Sequence, residues 1–491
     1  MRGLLILLLF VGTLYSCSDA EVIAPSVTGG KGELIRIRVE AEPGAPEILL
    51  KIDPVFGETV QRSIQSAYAI ALMKAGNSCR VKVYVQTMGT VDGPSAGAAF
   101  ALAFYSALSD TPLPKNYVIT GTIRNDSSIG AVGGIFEKAK AANDAGLPFI
   151  AGGLSNGERA ALMELGIDFT EAKDFTELVD IVINNTTPNK TLPFLSTDYE
   201  PIPYEENEFS SVARMLMAQE ELLADGLSSA ELRDYYKEEI KRQEELLSRG
   251  YVLPAANEAF SGASTLYAIK NLNRSREEIK AEIEGCISSV QVYPLTESNF
   301  EGNAFAIVRL YRAKEALDEL PLNEEDRIGE RVRMGNAYMW CLAAKKLVSR
   351  GEGAEVDESA VEVDTSGIDD PFYSAVISKL LEDGHNVSAY YELAYAKSNA
   401  TGNLSNGSFQ SKIGKLYYSY SAYALANGNK EDAILWLENA NSAEKLFQGI
   451  PLKEENKEEN NGLILLVAAF GAFIAAWLLL LILFLLSKLH P

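Results

Sequence analysis

Two hydrophobic periodicities divide the chain. From about residue 33 to residue 185, apolar positions alternate in stretches such as ELIRIRVEAE and VKVYVQ, which is typical of strands. Helical periodicity interrupts them, for example in ETVQRSIQSAYAIALMKAG, which we expect to end at Gly76. After residue 206 almost every apolar stretch has the helical period. The pattern predicts an α/β (α+β) domain over 33–185, followed by an all-α domain over 207–450.

The junctions within this pattern are marked by polar signals. Residues 186–206 are rich in Pro, Thr and Asn and are predicted to be a linker. Ser228 with Glu231, and Ser275 with Glu278, have the spacing of capping boxes. These two pairs predict where two helices of the second domain begin.

The rest of the helical region contains one interruption and one recognisable pair. The acidic segment 351–367 is expected to separate two groups of helices. Residues 407–446 read as two helices with a turn between them, similar to a tetratricopeptide (TPR) unit. Because no regular period of about 34 residues runs through the region, we predict a helical bundle with TPR-like pairing.

The N-terminus has the pattern of a secretory signal. One positive charge precedes an apolar run, and small residues occupy positions 18 and 20. This order predicts a signal peptide over residues 1–20. Lipoprotein processing at Cys17 is the alternative.

The C-terminus has the pattern of a membrane anchor. Residues 463–486 carry no charge and are long enough to cross a bilayer as a helix. An acidic segment precedes them and Lys488 follows, so the positive-inside rule predicts a cytoplasmic tail and an extracellular body. Sequons on that body agree with an extracellular glycoprotein and begin at Asn125, Asn184, Asn185, Asn189, Asn273, Asn386, Asn399, Asn403 and Asn406.

Charge and cysteine content exclude several classes of site. A net charge of −23 over 491 residues argues against nucleic acid as a partner, since phosphate binding needs clustered Lys and Arg. Cys17 is expected to leave with the signal. The remaining cysteines have no spacing that would hold a metal. Cys286 and Cys341 are either a disulfide or two buried thiols.

Ser95 is the first candidate for chemistry. It follows Asp-Gly-Pro in VDGPSAGAAF and stands where a helix is predicted to begin, so nearby backbone N–H groups could stabilise an oxyanion. The structural alternative is an ordinary helix N-cap. The chain has only two histidines, His385 and His490, both far along the sequence. A base for Ser95 must therefore be another residue type.

Lys138 is the candidate base. In the predicted helix IFEKAKAANDAG, Ile135 and Ala139 lie on the apolar face and Lys138 lies on its flank, whereas Lys140 points away with Asp144. A lysine in this position often extends its ammonium to solvent, which is the structural alternative. A desolvated lysine instead has a lowered pKa, which suits a general base near neutral pH.

These stretches together resemble a known family. DGPSAGAA, VITGTI and GAVGGIFEKAKAA are similar to the proteolytic domain of Lon proteases, which uses a Ser-Lys dyad in the motifs DGPSAG and GG-x-x-x-K. The resemblance implies that Ser95 is the nucleophile, that Lys138 is its base and that no cofactor or metal is needed. It also implies that Thr120 orients the lysine, that Asp92 shapes the site and that amides near Ser95 form the oxyanion hole.

One departure from the family changes the expected activity. Lon proteases carry an AAA+ ATPase module, whereas no GxxxxGK[ST] motif occurs in this sequence. We therefore expect an archaeal-type, membrane-anchored Lon-like protease without the AAA+ module. It would be an ATP-independent serine endopeptidase that acts on unfolded or extended extracytoplasmic polypeptides. The family's tendency to form rings implies a homo-oligomer.

Two alternatives remain open from the sequence. The first is a non-catalytic extracellular binding or scaffold protein that uses the TPR-like helices. The second is self-cleavage, in which the proteolytic domain cuts the linker at 186–206. Retention of both Ser95 and Lys138 argues against the scaffold hypothesis.

Overall fold

The computed structural model contains a sheet domain followed by helices. This order confirms the predicted α/β domain and the helical region after it. The residues that the structure describes are 17–50, 57–86, 93–114, 117–186, 199–320, 326–366, 368, 370–396 and 409–453.

A seven-stranded mixed sheet forms the centre of the first domain. The strands of this domain, including two outside the large sheet, are β1 (Ala20–Thr28), β2 (Lys31–Pro43), β3 (Glu47–Leu50), β4 (Cys79–Gln86), β5 (Val118–Ile119), β6 (Thr122–Ile123), β7 (Ile129–Gly130), β8 (Phe149–Ala151) and β9 (Phe169–Glu171). Their order in the large sheet is β3-β4-β2-β1-β5-β8-β9, and β6 pairs with β7 separately. β1, β5, β8 and β9 run parallel to one another, whereas β2 is antiparallel to both of its neighbours.

Helices cover both faces of this sheet. They are α1 (Glu58–Ala75), α2 (Gly97–Ser109), α3 (Ile135–Asp144), α4 (Asn156–Glu164) and α5 (Phe175–Val182). α1 ends as expected, with Gly76 in the left-handed conformation at φ 63°. The α2 side chains pack with those of α1 and α5 in one core, and α3 packs over Ile23, Val118 and Phe149 in another. α2 and α3 are therefore separated by the sheet.

The first strand was not expected, because the predicted domain began at residue 33. β1 contains Pro25, and a proline inside a stretch argues against a central strand. The structure accommodates it because β5 pairs with β1 only at Ile23 opposite Val118. Beyond that pair, Pro25 has no described ladder hydrogen bond to lose on the β5 side.

The second domain consists of helices in the part of the chain that the structure describes. They are α6 (Glu208–Asp225), α7 (Ala230–Ser248), α8 (Val252–Lys270), α9 (Arg276–Ser288), α10 (Phe300–Asp318), α11 (Arg327–Leu347), α12 (Pro371–Glu382), α13 (Asn386–Ala396), α14 (Lys412–Ala426) and α15 (Lys430–Gln448). The acidic segment between α11 and α12 contains a single 3-10 turn, Glu358–Ala360, among its described residues. The predicted helix-turn-helix near the end of this domain is confirmed as α14 and α15.

One predicted capping box is confirmed and the other is wrong. Ser275 and Glu278 form the reciprocal box that begins α9. At α7 the N-cap is Ser229, and the Ser228 amide donates instead to Glu164 Oε1 of α4 at 2.7 Å. A carboxylate of the first domain therefore accepts a hydrogen bond from the residue just before the N-cap of a helix in the second domain.

Two disulfides join distant parts of the chain. Cys286 is bonded to Cys341, which settles the alternatives left open for that pair. Cys17 is bonded to Cys79 at the start of β4. The expected cut after Ala20 stays a prediction, and it would remove Cys17, a residue that this disulfide uses. The disulfide also occupies the thiol that lipidation would need.

Several predictions lie beyond the described residues. They include residues 1–16 of the predicted signal, residues 187–198 of the linker and the predicted span at 463–486. Within the described ranges, none of the helices has the length and apolar character that crossing a bilayer requires.

Candidate active site

Ser95 lies in the turn that leads into α2. We call residues 93–97 the serine turn. The N-cap of α2 is Ala96, and no side chain caps this helix. Ser95 is half-buried, and its hydroxyl has no hydrogen-bond partner among the described residues. The N-cap explanation of Ser95 is therefore wrong, and the hydroxyl remains available for chemistry.

A Thr-Gly pair after β5 holds the serine turn in place. Thr120 Oγ1 donates to the Ser95 carbonyl oxygen at 3.0 Å, and the Gly121 amide donates to the same oxygen at 2.8 Å. In return, the Ala98 amide donates to the Gly121 carbonyl at 3.0 Å. Thr120 is 1% exposed, and its hydroxyl fixes the backbone of the serine. Its partner is thus the serine backbone, whereas the family resemblance implied the lysine.

Close packing behind the serine turn explains one glycine of the DGPSAG motif. A Cβ on Gly97 would lie 2.7 Å from Ser63 Oγ and 2.9 Å from the Ile123 backbone nitrogen. Both distances are shorter than side chains tolerate, so α2 can begin here only if this position has no side chain.

Lys138 is buried in α3. Only 4% of it is exposed, and Ile135 and Ala139 beside it are 1% and 0% exposed. Lys140 is exposed and forms an ion pair with Asp144 at 2.6 Å. The helix-face argument that separated the two lysines is therefore confirmed, and Lys138 does not extend its ammonium freely to solvent.

The topology places Lys138 and Ser95 at the same end of the sheet. α3 connects β5 to its parallel neighbour β8, so its first turns lie at the carboxyl ends of these strands. Thr120, which holds the serine turn, directly follows β5 at that same end. Among the described residues no hydrogen bond joins Ser95 Oγ to Lys138 Nζ. Such contacts often tighten only when substrate binds.

Burial determines the electrostatics of Lys138. Desolvation lowers its pKa from 10.5 to about 8, against the opposing effects of Asp326, Glu137 and Glu158. Removing water penalises the charged form more than these three carboxylates favour it. A lysine with this pKa is partly neutral near physiological pH and can accept a proton.

Part of this environment comes from the second domain. Asp326 is the N-cap of α11, and the next residue, Arg327, lies 5.4 Å over the Phe136 ring and 3.7 Å from Glu137. The start of α11 is thereby fixed against α3. Sequence reasoning missed Asp326 and Glu158, because no local pattern connects them with Lys138.

Three further predictions concern the oxyanion hole, Asp92 and the histidines. The amides of Ser95 and Ala96 have no acceptor in the described part of the chain, so both are free to donate to an oxyanion. Asp92 lies outside the described residues. His385 lies in the helical domain, 3.7 Å from Glu358, and plays no part at Ser95.

Comparisons with known proteins show similarity to Lon proteases. Residues 23–161 match the model of the Lon protease (S16) C-terminal proteolytic domain, so the match includes most of β1. Lon protease 2 of Bacillus subtilis is 32% identical over 105 residues, which cover 21% of this chain and 19% of that protein. The archaeal Lon protease of Methanocaldococcus jannaschii is 34% identical over 102 residues, which cover 21% of this chain and 15% of that protein.

A third relative matches over a shorter stretch with a higher identity. The Lon protease of Clostridioides difficile is 50% identical over 56 residues, covering 11% of this chain and 7% of that protein. The chain therefore spans less than a quarter of the length of each of these curated relatives. The family model covers residues 23–161, which lie in the sheet domain.

Proposed function

We propose that the protein is a serine endopeptidase with Ser95 as nucleophile and Lys138 as general base, because residues 23–161 match the model of the Lon protease (S16) C-terminal proteolytic domain. The observation that carries this proposal is the burial of Lys138 at the sheet end where the unpartnered Ser95 hydroxyl lies. Burial lowers the lysine pKa to about 8, which provides a neutral amine without a histidine.

The proposed reaction is acyl transfer in two stages. Neutral Lys138 accepts the Ser95 Oγ proton while Oγ bonds to the scissile carbonyl carbon, and the amides of Ser95 and Ala96 receive the oxyanion. The C–N bond breaks, the leaving amine takes the proton from Lys138, and a serine ester remains. Lys138 then accepts a proton from water as the hydroxide attacks the ester. Release of the acid returns that proton to Ser95.

We further propose that cleavage is independent of ATP and acts on polypeptide that is already unfolded or extended. The support is the sequence, which has no GxxxxGK[ST] motif to couple nucleotide hydrolysis to unfolding. A protease without such a motor depends on chain that can enter the site unaided.

The proposed location is the outer face of a membrane, with the chain anchored by residues 463–486 and a short cytoplasmic tail. Two disulfides support this, because they persist in oxidising compartments. Asn125 and Asn273 support it as well, since both begin sequons and are exposed. We extend the proposal to a glycoprotein that assembles as a homo-oligomer.

The test is cleavage of an unfolded protein by the full chain in detergent without ATP. Ser95→Ala and Lys138→Ala remove the two proposed groups, and Lys140→Ala is the matched control, because Lys140 lies on the same helix but faces solvent. We expect wild type and Lys140→Ala to cleave and the other two variants to be inactive. Cleavage by Ser95→Ala, or none by wild type, would contradict the proposal and favour a binding protein.

A further inference from the structure

A partly open pocket lies within the helical domain, away from Ser95. Helices α6, α8, α10 and α11 surround a cavity of about 140 Å³, and residues of α12, α13 and α14 also line it. We call it the aromatic pocket, after the rings of Phe209, Phe260, Phe305, Trp340 and Tyr395 that line it. Among the described residues, its only charged lining side chains are Arg309 and Arg312 of α10.

Arg312 is fully compensated. Its guanidinium donates through Nε and Nη2 to the two carboxylate oxygens of Glu392, both at 2.7 Å. Arg312 and Glu392 are 3% and 1% exposed, and the guanidinium also lies 4.2 Å from the Tyr395 ring centroid. This arrangement satisfies a buried arginine by a bidentate ion pair and by stacking.

Arg309 differs from Arg312 in this respect. It forms no hydrogen bond or ion pair with any described residue, and its Nη1 is buried without an acceptor. Its guanidinium carbon lies 4.8 Å from the centroid of the Phe305 ring. Burial, followed by the charge of Arg312, lowers the pKa of Arg309 to about 10, so the group is still charged at neutral pH.

The charges around the pocket therefore do not balance. The groups with the largest effect on Arg309 are Arg312, Glu392 and the phenols of Tyr395 and Tyr417. With neutral phenols, two guanidinium groups face one carboxylate. Arg309 is half-buried and its Nη1 is buried without an acceptor among the described residues, so an anion beside it would supply the partner that this group lacks.

We propose that the aromatic pocket binds a small monocarboxylate with an apolar body, whose carboxylate pairs with Arg309. A guanidinium offers a fork of N–H groups that matches a carboxylate, and the aromatic lining suits an apolar body better than a hydrated one. A dry cavity of about 150 Å³ holds benzene, so the pocket has room for a body of about one ring. This proposal does not depend on the proteolytic site.

The test uses phenylacetate as the probe and phenylacetamide as its uncharged isostere. The full chain in detergent carries Ser95→Ala, which prevents self-digestion. Each compound is titrated into this protein by calorimetry. Arg309→Met removes the guanidinium and keeps the length of the side chain. Arg350→Met is the matched control, because Arg350 also stacks on a ring, that of Tyr293 at 5.5 Å, but is exposed.

We expect phenylacetate to bind at least about tenfold more tightly than the amide, because one hydrogen bond between charged groups contributes about that much to affinity. Arg309→Met should lose this preference, and Arg350→Met should keep it. Equal binding of acid and amide to the unmutated pocket, or no binding of either at millimolar concentration, would overturn the proposal. The comparison of acid with amide needs no substitution in the pocket, so it holds even if Arg309→Met does not fold.

Discussion

Lys138 is a cation in an environment that disfavours cations, and this has two measurable consequences. Because burial lowers its pKa to about 8, about one-tenth of it is neutral at pH 7. If Lys138 is the base, the cleavage rate should rise about tenfold per pH unit below that pKa and level off above it. A rate that is flat from mildly acidic to alkaline pH would contradict the assignment.

The second consequence concerns stability. Between pH 8 and 10.5 the unfolded chain holds a proton on this lysine that the folded chain has lost, so folding becomes more favourable as pH rises through that window. Lys138→Met should therefore abolish cleavage and yet stabilise the fold near neutral pH, by on the order of 2 kcal/mol. Denaturant unfolding at pH 7 and pH 10, on the Ser95→Ala background, measures this. An equal effect at both pH values would contradict a buried ammonium.

Gly97 tests the packing behind the serine. Gly97→Ala would bring a methyl group to 2.9 Å from the Ile123 backbone nitrogen, which cannot move without shifting β6. We expect a loss of about 1–3 kcal/mol in unfolding free energy, and a large fall in kcat because Ser95 is displaced. Gly285→Ala is the control, since nothing lies within 4 Å of that position in α9. It should be neutral or slightly stabilising.

At the scale of elements, sequence signals correctly predicted those helix ends that depend on residues close by in the chain. The end of α1 at Gly76 and the capping box of Ser275 with Glu278 depend on neighbours in sequence, and both are confirmed. The box predicted at Ser228 failed because Glu164, 64 residues away, takes the hydrogen bonds of that serine. β1 was missed because the predicted domain began at residue 33, and its Pro25 is accommodated by the way β5 pairs.

The start of α11 provides a test of coupling between the two domains. Asp326 raises the pKa of Lys138 and also caps α11 by accepting from the Gly329 amide at 3.1 Å. Asp326→Asn keeps the cap but removes the charge, so the midpoint of the pH–rate profile should move to lower pH. Asp370→Asn is the control, because Asp370 caps α12 in the same way but does not act on Lys138. Equal midpoints in the two variants would contradict the coupling.

The site as a whole shows where sequence reasoning stops. Helix periodicity and two motifs singled out Ser95 and Lys138, and the structure buries Lys138 as its helix face predicted, whereas their pairing in catalysis stays a prediction. The contribution of Asp326 could not be predicted, because it requires knowing that α11 packs on α3. Thr120 was named from the family resemblance, but its hydrogen bond to the Ser95 carbonyl could not be predicted, because it depends on tertiary structure.

At the scale of the whole molecule, the first disulfide predicts where processing occurs. Cys17 and Cys79 close a loop with a sequence separation of 62, which stabilises a fold by about 4 kcal/mol on the chain-entropy model. We expect the mature protein to begin at or before Cys17. N-terminal sequencing and intact mass would report this start together with two disulfides. A mature chain that begins at Glu21 and carries a free Cys79 would contradict it.

The central claim is that Ser95 is a nucleophile activated by Lys138, and covalent labelling tests it most directly. The full chain is treated with a fluorophosphonate, and the modified residue is identified by peptide mass spectrometry. We predict one adduct, on Ser95, that forms faster as the pH rises through about 8. The adduct should be lost in Lys138→Met and retained in Lys140→Met. Labelling of a different serine, or labelling of Ser95 at the same rate in Lys138→Met, would contradict the claim.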